Sequence, residues 1–186
     1  MNNKQHSLQV NAIRHVTTPK SHTLWVLMGV SGSGKSAVAR RLASALDIPY
    51  IDGDYLHPRS NVDKMASGQS LNDSGRAPWL DVLNTAGYSM LRTNPASLMI
   101  CSALKKQYRD VLRAGNPGIH FLFLDGSFDV IESHLKERKG HYFQSSMLTS
   151  QFDTLEYPKS DESDVITIDI ATPLDDVIND CIAHIK

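Results

Sequence analysis

Cysteine is nearly absent. The chain of 186 residues carries two, Cys101 and Cys181, so no disulfide framework organises it, and both read as packing residues suited to a reducing cytosol. A cytoplasmic location is the expectation. Long apolar runs are also missing, none approaching the ~20 residues that cross a bilayer. Net charge is lacking too: 19 Lys and Arg against 20 Asp and Glu leave a formal charge of −1. Such a balance provides no electrostatic footprint for nucleic acid or an anionic membrane, so an acidic substrate must be met by a local cluster of cations. No internal repeat, low-complexity tract or interdomain linker breaks the chain. Residues 1–22 hold Lys4, Arg14 and Lys20, no acidic residue and no convincing apolar helical face. They read as a disordered extension, with residues 23–186 forming a single domain.

What is present is organised around Gly29-Val30-Ser31-Gly32-Ser33-Gly34-Lys35-Ser36, a P-loop of the form G-x-x-x-x-G-K-[ST]. Its glycines allow the left-handed backbone that turns successive N–H groups inward into an anion-holding nest. A helix follows, and its N-terminal amides and dipole also favour negative charge. Lys35 supplies a point charge for the β- and γ-phosphates, and the Ser36 hydroxyl is the expected Mg²⁺ ligand. The flanks fit: Leu24 to Met28 is an apolar run suited to a strand buried on both faces, and Ala37 to Leu46 carries apolar residues at helical spacing.

Ile48 to Asp52 reads as a second strand, and Asp52-Gly53-Asp54 places two carboxylates at its C-terminal end, the edge where parallel α/β sheets bind ligands. An extended chain there would project both from one face, as a metal and substrate station; Asp-Gly is also common turn chemistry. After His57-Pro58, Arg59 to Ala66 reads as a short helix, and a longer one follows Asn72-Asp73-Ser74 and ends near Asn94-Pro95. Two helical pieces between strands suit an acceptor-binding insertion. The third strand, Ser97 to Ala103, ends in Cys-Ser-Ala, without the acidic residue that helps hold Mg²⁺ in many P-loop ATPases and switch proteins. That moves the metal-supporting role to Asp52. The next helix, from Leu104 to Arg113, places Lys105 and Arg109 four apart, hence on one face near the site, with Lys106 and Arg113 on a solvated one. Ile119 to Leu124 and Val165 to Asp169 are strands four and five, with helices over Phe128 to Lys139, Met147 to Leu155 and Pro173 to Ile185. The run from Lys136 to Phe143 combines basic residues with a glycine hinge, a lid that could bring Arg138, and less readily Lys139, onto a transferring phosphate. Five strands alternating with helices give a parallel sheet covered on both faces.

With these residues in view the chain resembles the bacterial gluconokinases over roughly Leu24 to the C-terminus. Beyond the P-loop, the resemblance is carried by Asp52-Gly53-Asp54 with His57-Pro58, Asn61, Lys64-Met65 and Gly68, then Leu71, Asp73, Arg76 and Pro78-Trp79-Leu80. Cys101 to Lys106, Tyr108-Arg109-Asp110 and Arg138-Lys139-Gly140-His141 extend it, while Ser70 and Ser74-Gly75 depart from the family pattern in what reads as a loop. The resemblance implies a three-layer α/β fold like that of shikimate and nucleoside monophosphate kinases, with sheet order 2-3-1-4-5, a lid and an acceptor-binding region. It further implies transfer of phosphate from ATP, with Mg²⁺, to D-gluconate, giving 6-phosphogluconate. In that scheme the loop from Gly29 to Gly34 holds phosphates, Ser36 and Asp52 position Mg²⁺, and Asp54 orients and deprotonates the acceptor hydroxyl. Arg76, Lys105 and Arg109 hold the acceptor carboxylate, and His57 bonds a sugar hydroxyl or serves structure. Adenine is expected between the lid and the turn Ala171-Thr172-Pro173. Small kinases of this type are often homodimers. A kinase for another small anion such as shikimate is the nearest alternative, although the Gly-Gly-Gly associated with shikimate kinases is replaced by Cys101-Ser102-Ala103. A nucleotide-switched binding protein is a second alternative, and no Asn-Lys-x-Asp guanine-reading pattern supports it.

Overall fold

The computed structural model describes residues 22–69, 71–137 and 145–185. The expected lid residues Arg138, Lys139, Gly140 and His141, and all of the expected extension except His22, lie outside them. Within these residues five strands form one parallel sheet: β1 (Thr23–Met28), β2 (Tyr50–Asp52), β3 (Ala96–Ile100), β4 (Ile119–Asp125) and β5 (Val165–Asp169), in the spatial order β2-β3-β1-β4-β5. This is the order the resemblance implied. Among the described residues seven α-helices accompany it: α1 (Lys35–Leu46), α2 (Arg59–Ala66), α3 (Asp73–Thr93), α4 (Lys106–Arg113), α5 (Phe128–Glu137), α6 (Ser145–Thr154) and α7 (Leu174–Ile185). None among the described residues is long and apolar enough to cross a membrane.

The central strand explains the two layers of helix. Side chains alternate along β1, so Trp25 and Leu27 join one apolar cluster while Leu24, Val26 and Met28 join the other. The first cluster takes Val38 and Leu42 from α1, Ile131 and Leu135 from α5, Leu148 from α6 and Val177 from α7. The second takes Trp79, Leu80 and Leu83 from α3 and Tyr108 and Leu112 from α4. Full burial of each such side chain contributes roughly 1.5–3 kcal/mol, which is what fixes a strand whose two faces are both apolar.

Three local expectations are corrected. The backbone turns into a 3-10 helix at Gly53–Leu56, so Asp52 and Asp54 do not project from one extended strand. Instead the Asp52 carboxylate accepts the Asp54 N–H at 3.1 Å, which is capping chemistry. Strand three stops at Ile100, and the following loop bends at Ala103, whose φ is 44°. Finally, α4 begins at Lys106, leaving Lys105 as an extended N-cap residue with φ −97° and ψ 147°. The helical spacing invoked for Lys105 and Arg109 therefore does not apply, and their side chains part company.

Candidate active site

The phosphate loop leaves the end of β1 through backbone that few side chains tolerate. Gly29, Gly32 and Gly34 have φ of 138°, 91° and 89°. At Gly32 a Cβ would also lie 2.6 Å from Leu135 Cγ, so α5 presses on the loop from behind and glycine is required there on both counts. The Lys35 ammonium arches back over the loop, donating to Gly29 O and Val30 O at 2.8 Å each. Ser33 is 2% exposed and its Oγ has no hydrogen-bond partner among the described residues. A loop of left-handed glycines with a charged lysine over it and an unsatisfied hydroxyl inside is suited to an anion.

Beside the loop opens a cleft of about 770 Å³, lined by Ser31 and Lys35 on the donor side and by Asp54, His57, Asp73, Arg76 and Lys105 on the other. Each wall is built locally. Gly53 permits the 3-10 turn to lie against β3, since a Cβ there would fall 2.5 Å from Ile100 O, and Trp79 Nε1 donates to Gly53 O at 2.8 Å. The His57 ring stacks on Trp79 with centroids 4.1 Å apart, and Asn61 ties it to α3 by donating to Gly75 O at 2.8 Å while lying 3.4 Å from His57 Nδ1. Burial lowers the His57 pKa, Asp54 partly opposes this, and Arg76 reinforces it. The shift favours the neutral imidazole, and the ring both stacks on Trp79 and lines the cleft.

Asn72 caps α3 by accepting Gly75 N at 2.9 Å, and this sets Asp73 at the cleft edge. Lys105 Nζ donates to both Asp73 oxygens at 2.8 and 2.9 Å, Gln107 Nε2 donates at 2.9 Å, and the Tyr108 hydroxyl completes the set. These bonds, led by Lys105, hold the Asp73 pKa at about 2. Arg76 donates through Nε to Leu71 O at 3.2 Å and lies 5.9 Å from the Tyr108 ring centroid. The cationic corner therefore consists of Arg76 and Lys105.

Arg109 does not belong to it, contrary to the sequence-based expectation. It has no exposed surface and donates to both Glu162 oxygens at 2.7 and 2.6 Å, with Nη1 reaching Ala103 O and Leu104 O at 3.1 and 3.3 Å. Arg113 joins this network through Glu162 and Asp164, and Lys106 pairs with Asp110, so the face expected to be solvated is largely ion-paired. Asp73, Tyr108 and Gln151 are cleft residues that were not assigned to the site from sequence. Asp73 had two signals, its place directly after a helix cap and its place among the motif residues that carry the family resemblance. Gln151 had none, because α6 lies 120 residues from the loop it touches.

The expected metal ligands Ser36 and Asp52 do not line the cleft. Among the described residues no group of three or more His, Cys, Asp or Glu could hold a metal ion, and Ser36 and Asp52 offer one hydroxyl and one carboxylate. That donor set fits Mg²⁺, which usually takes one or two protein oxygens beside phosphates.

A parallel sheet of this order, with a phosphate nest opening onto an acceptor cleft that holds two carboxylates and two cations, defines a P-loop kinase. A family model for shikimate kinase matches residues 31–186. The chain is 57% identical over 170 residues to the thermoresistant gluconokinase of Escherichia coli (strain K12), covering 91% of this chain and 97% of that protein. It is 46% identical over 157 residues to the thermosensitive gluconokinase of the same strain, covering 84% of each. A solved gluconokinase structure from Sinorhizobium meliloti 1021 superimposes with a TM-score of 0.80 at 40% identity, covering 89% of this chain and 92% of that one. The chain belongs to the gluconokinases of the shikimate kinase-like family. It is an ATP-dependent kinase that transfers phosphate to an alcohol group.

Proposed function

We propose that the chain phosphorylates D-gluconate with ATP, giving ADP and 6-phospho-D-gluconate. The observation that carries this reading is the sharing of one cleft by the phosphate loop, Asp54 and the pair Arg76 and Lys105. A sugar acid needs a cationic corner for its carboxylate at one end and a hydroxyl-orienting group near the γ-phosphate at the other. Arg76 and Lys105 suit the first role and Asp54 the second. As the acceptor oxygen bonds to the γ-phosphorus and the bridging bond to ADP breaks, Asp54 takes the hydroxyl proton. His57, which lines the cleft, suits a hydroxyl of the polyol chain. The loop from Gly29 to Gly34 and the Lys35 charge hold the phosphates and offset charge that develops during transfer.

Mg²⁺ would be held by Ser36, with Asp52 acting through water, and would supply neutralisation of phosphate charge. Arg138 is assigned to the transferring phosphate on its sequence position alone. The enzyme would work in the cytoplasm, as a homodimer, without nucleic-acid or membrane partners.

A coupled ADP-release assay across gluconate, shikimate, other sugar acids and nucleoside monophosphates tests the reading. Gluconate should be turned over at least about a hundredfold more efficiently than the others, and Asp54→Asn should lower kcat by about 10²-fold or more with the KM for ATP little changed. A preference for shikimate, or an Asp54→Asn enzyme with ordinary kcat, would overturn it.

A further inference from the structure

One contact in the cleft is used by none of these roles. The Ser31 N–H donates to Gln151 Oε1 at 2.6 Å, and Gln151 Nε2 donates to Ser31 Oγ at 3.0 Å. A single carboxamide on α6 thus accepts from the phosphate loop and donates to it at the same residue, which only a side chain carrying both functions can do. We infer that Gln151 is a positioning residue for phosphoryl transfer: it ties the α6 wall of the cleft to the phosphate loop and so fixes the acceptor relative to the transferring phosphate. The inference rests on the gluconokinase reading and deepens it.

Three observations support it. Met147, Gln151 and Thr154 recur at helical spacing, and all line the cleft together with Ser150, so one face of α6 is a wall of the acceptor site. The other face is anchored in the core by Leu148, 1% exposed, and by Phe152 against Phe128 with centroids 5.5 Å apart. That packing fixes the height of the helix above the sheet, and the two bonds to Ser31 tie it to the donor loop. Finally, this wall is uncharged, whereas the opposite one carries Asp54, Asp73, Arg76 and Lys105. An amide beside the loop makes the tie without adding charge where the γ-phosphate reacts.

Because reacting groups misplaced by about 1 Å can lose 10²-fold in rate, loss of the tie should appear in transfer and not in nucleotide affinity. Gln151→Leu, close in size but without hydrogen bonds, should lower kcat with gluconate about tenfold or more while the KM for ATP stays within about threefold and the melting temperature is kept. Gln151→Glu separates positioning from mere support. Its carboxylate still accepts from the Ser31 N–H and hydroxyl, yet brings negative charge to the reacting phosphate, so kcat should fall further than in Gln151→Leu. Ser31→Ala removes the other half of the tie independently and should also lower kcat. Combined with Gln151→Leu it should add little, since both act on one contact. Wild-type kcat in Gln151→Leu, full activity in Gln151→Glu, or additive losses in the double variant would each overturn the inference. Failure of the wild-type enzyme to phosphorylate gluconate would instead overturn the functional reading beneath it.

Discussion

Asp73 carries no formal role in the transfer, yet it receives hydrogen bonds from Lys105, Gln107 and Tyr108 at once. It holds the Lys105 ammonium at the cleft edge, where an acceptor carboxylate is expected to meet it. Asp73→Ala should therefore raise the KM for gluconate about tenfold with little change in the KM for ATP, as steady-state kinetics would show. The acid sensitivity has a definite sign. The folded pKa of about 2 lies below the ordinary 3.8, so the contribution of Asp73 to stability is complete above pH 4 and lost as pH falls towards 2. Residue identity alone did not separate Lys105 from Arg109, two cations four positions apart. Each received its role from partners distant in sequence: Asp73, which precedes Lys105 by 32 residues, and Glu162, which follows Arg109 by 53.

Among the elements, α4 and its preceding loop show how an ion pair can build a site from outside it. Arg109 clamps Glu162 and the Ala103 and Leu104 carbonyls, and the Lys106 N–H is capped by Glu156 Oε2 at 2.8 Å. Together they pin the loop that carries Ser102 and Lys105 to the cleft. Hydrogen bonding from Arg109, with Arg113 assisting, holds the Glu162 pKa at about 2, below the ordinary 4.5. Arg109→Met would leave that buried carboxylate with Arg113 as its one cationic partner, and urea denaturation at pH 7 should show a loss of about 3 kcal/mol, the lower end for a broken buried pair. The deficit should narrow as pH falls through the ordinary carboxylate range, because Glu162, having lost its two bonds from Arg109, then takes a proton more readily. The strands and most helices were legible from apolar runs and caps, including the Asn72 cap of α3. The start of α4 was not, since an extended Lys105 and a helical one leave the same sequence pattern.

At the scale of the whole molecule, the donor loop, the α3 cap region, the loop after β3 and α6 meet at one end of the sheet. Ligands bridging those elements should stabilise the fold as a unit. A non-hydrolysable ATP analogue at about 100-fold over its Kd should add about 2.7 kcal/mol, and gluconate added with it should raise the melting temperature further, as differential scanning fluorimetry would show. No shift with the analogue would remove the nucleotide site. The sequence by itself determined the phosphate loop, the parallel α/β class and the kinase family, because these are written in local spacing: glycines that need positive φ, apolar runs that need two covered faces, and the motifs around Asp54 and Arg76. Only the tertiary structure decided which cations face the cleft, that Asp52 caps a turn, and that Gln151 reaches Ser31. Those outcomes depend on which distant backbone and side-chain groups meet when the sheet closes, and such contacts leave no periodicity in the chain.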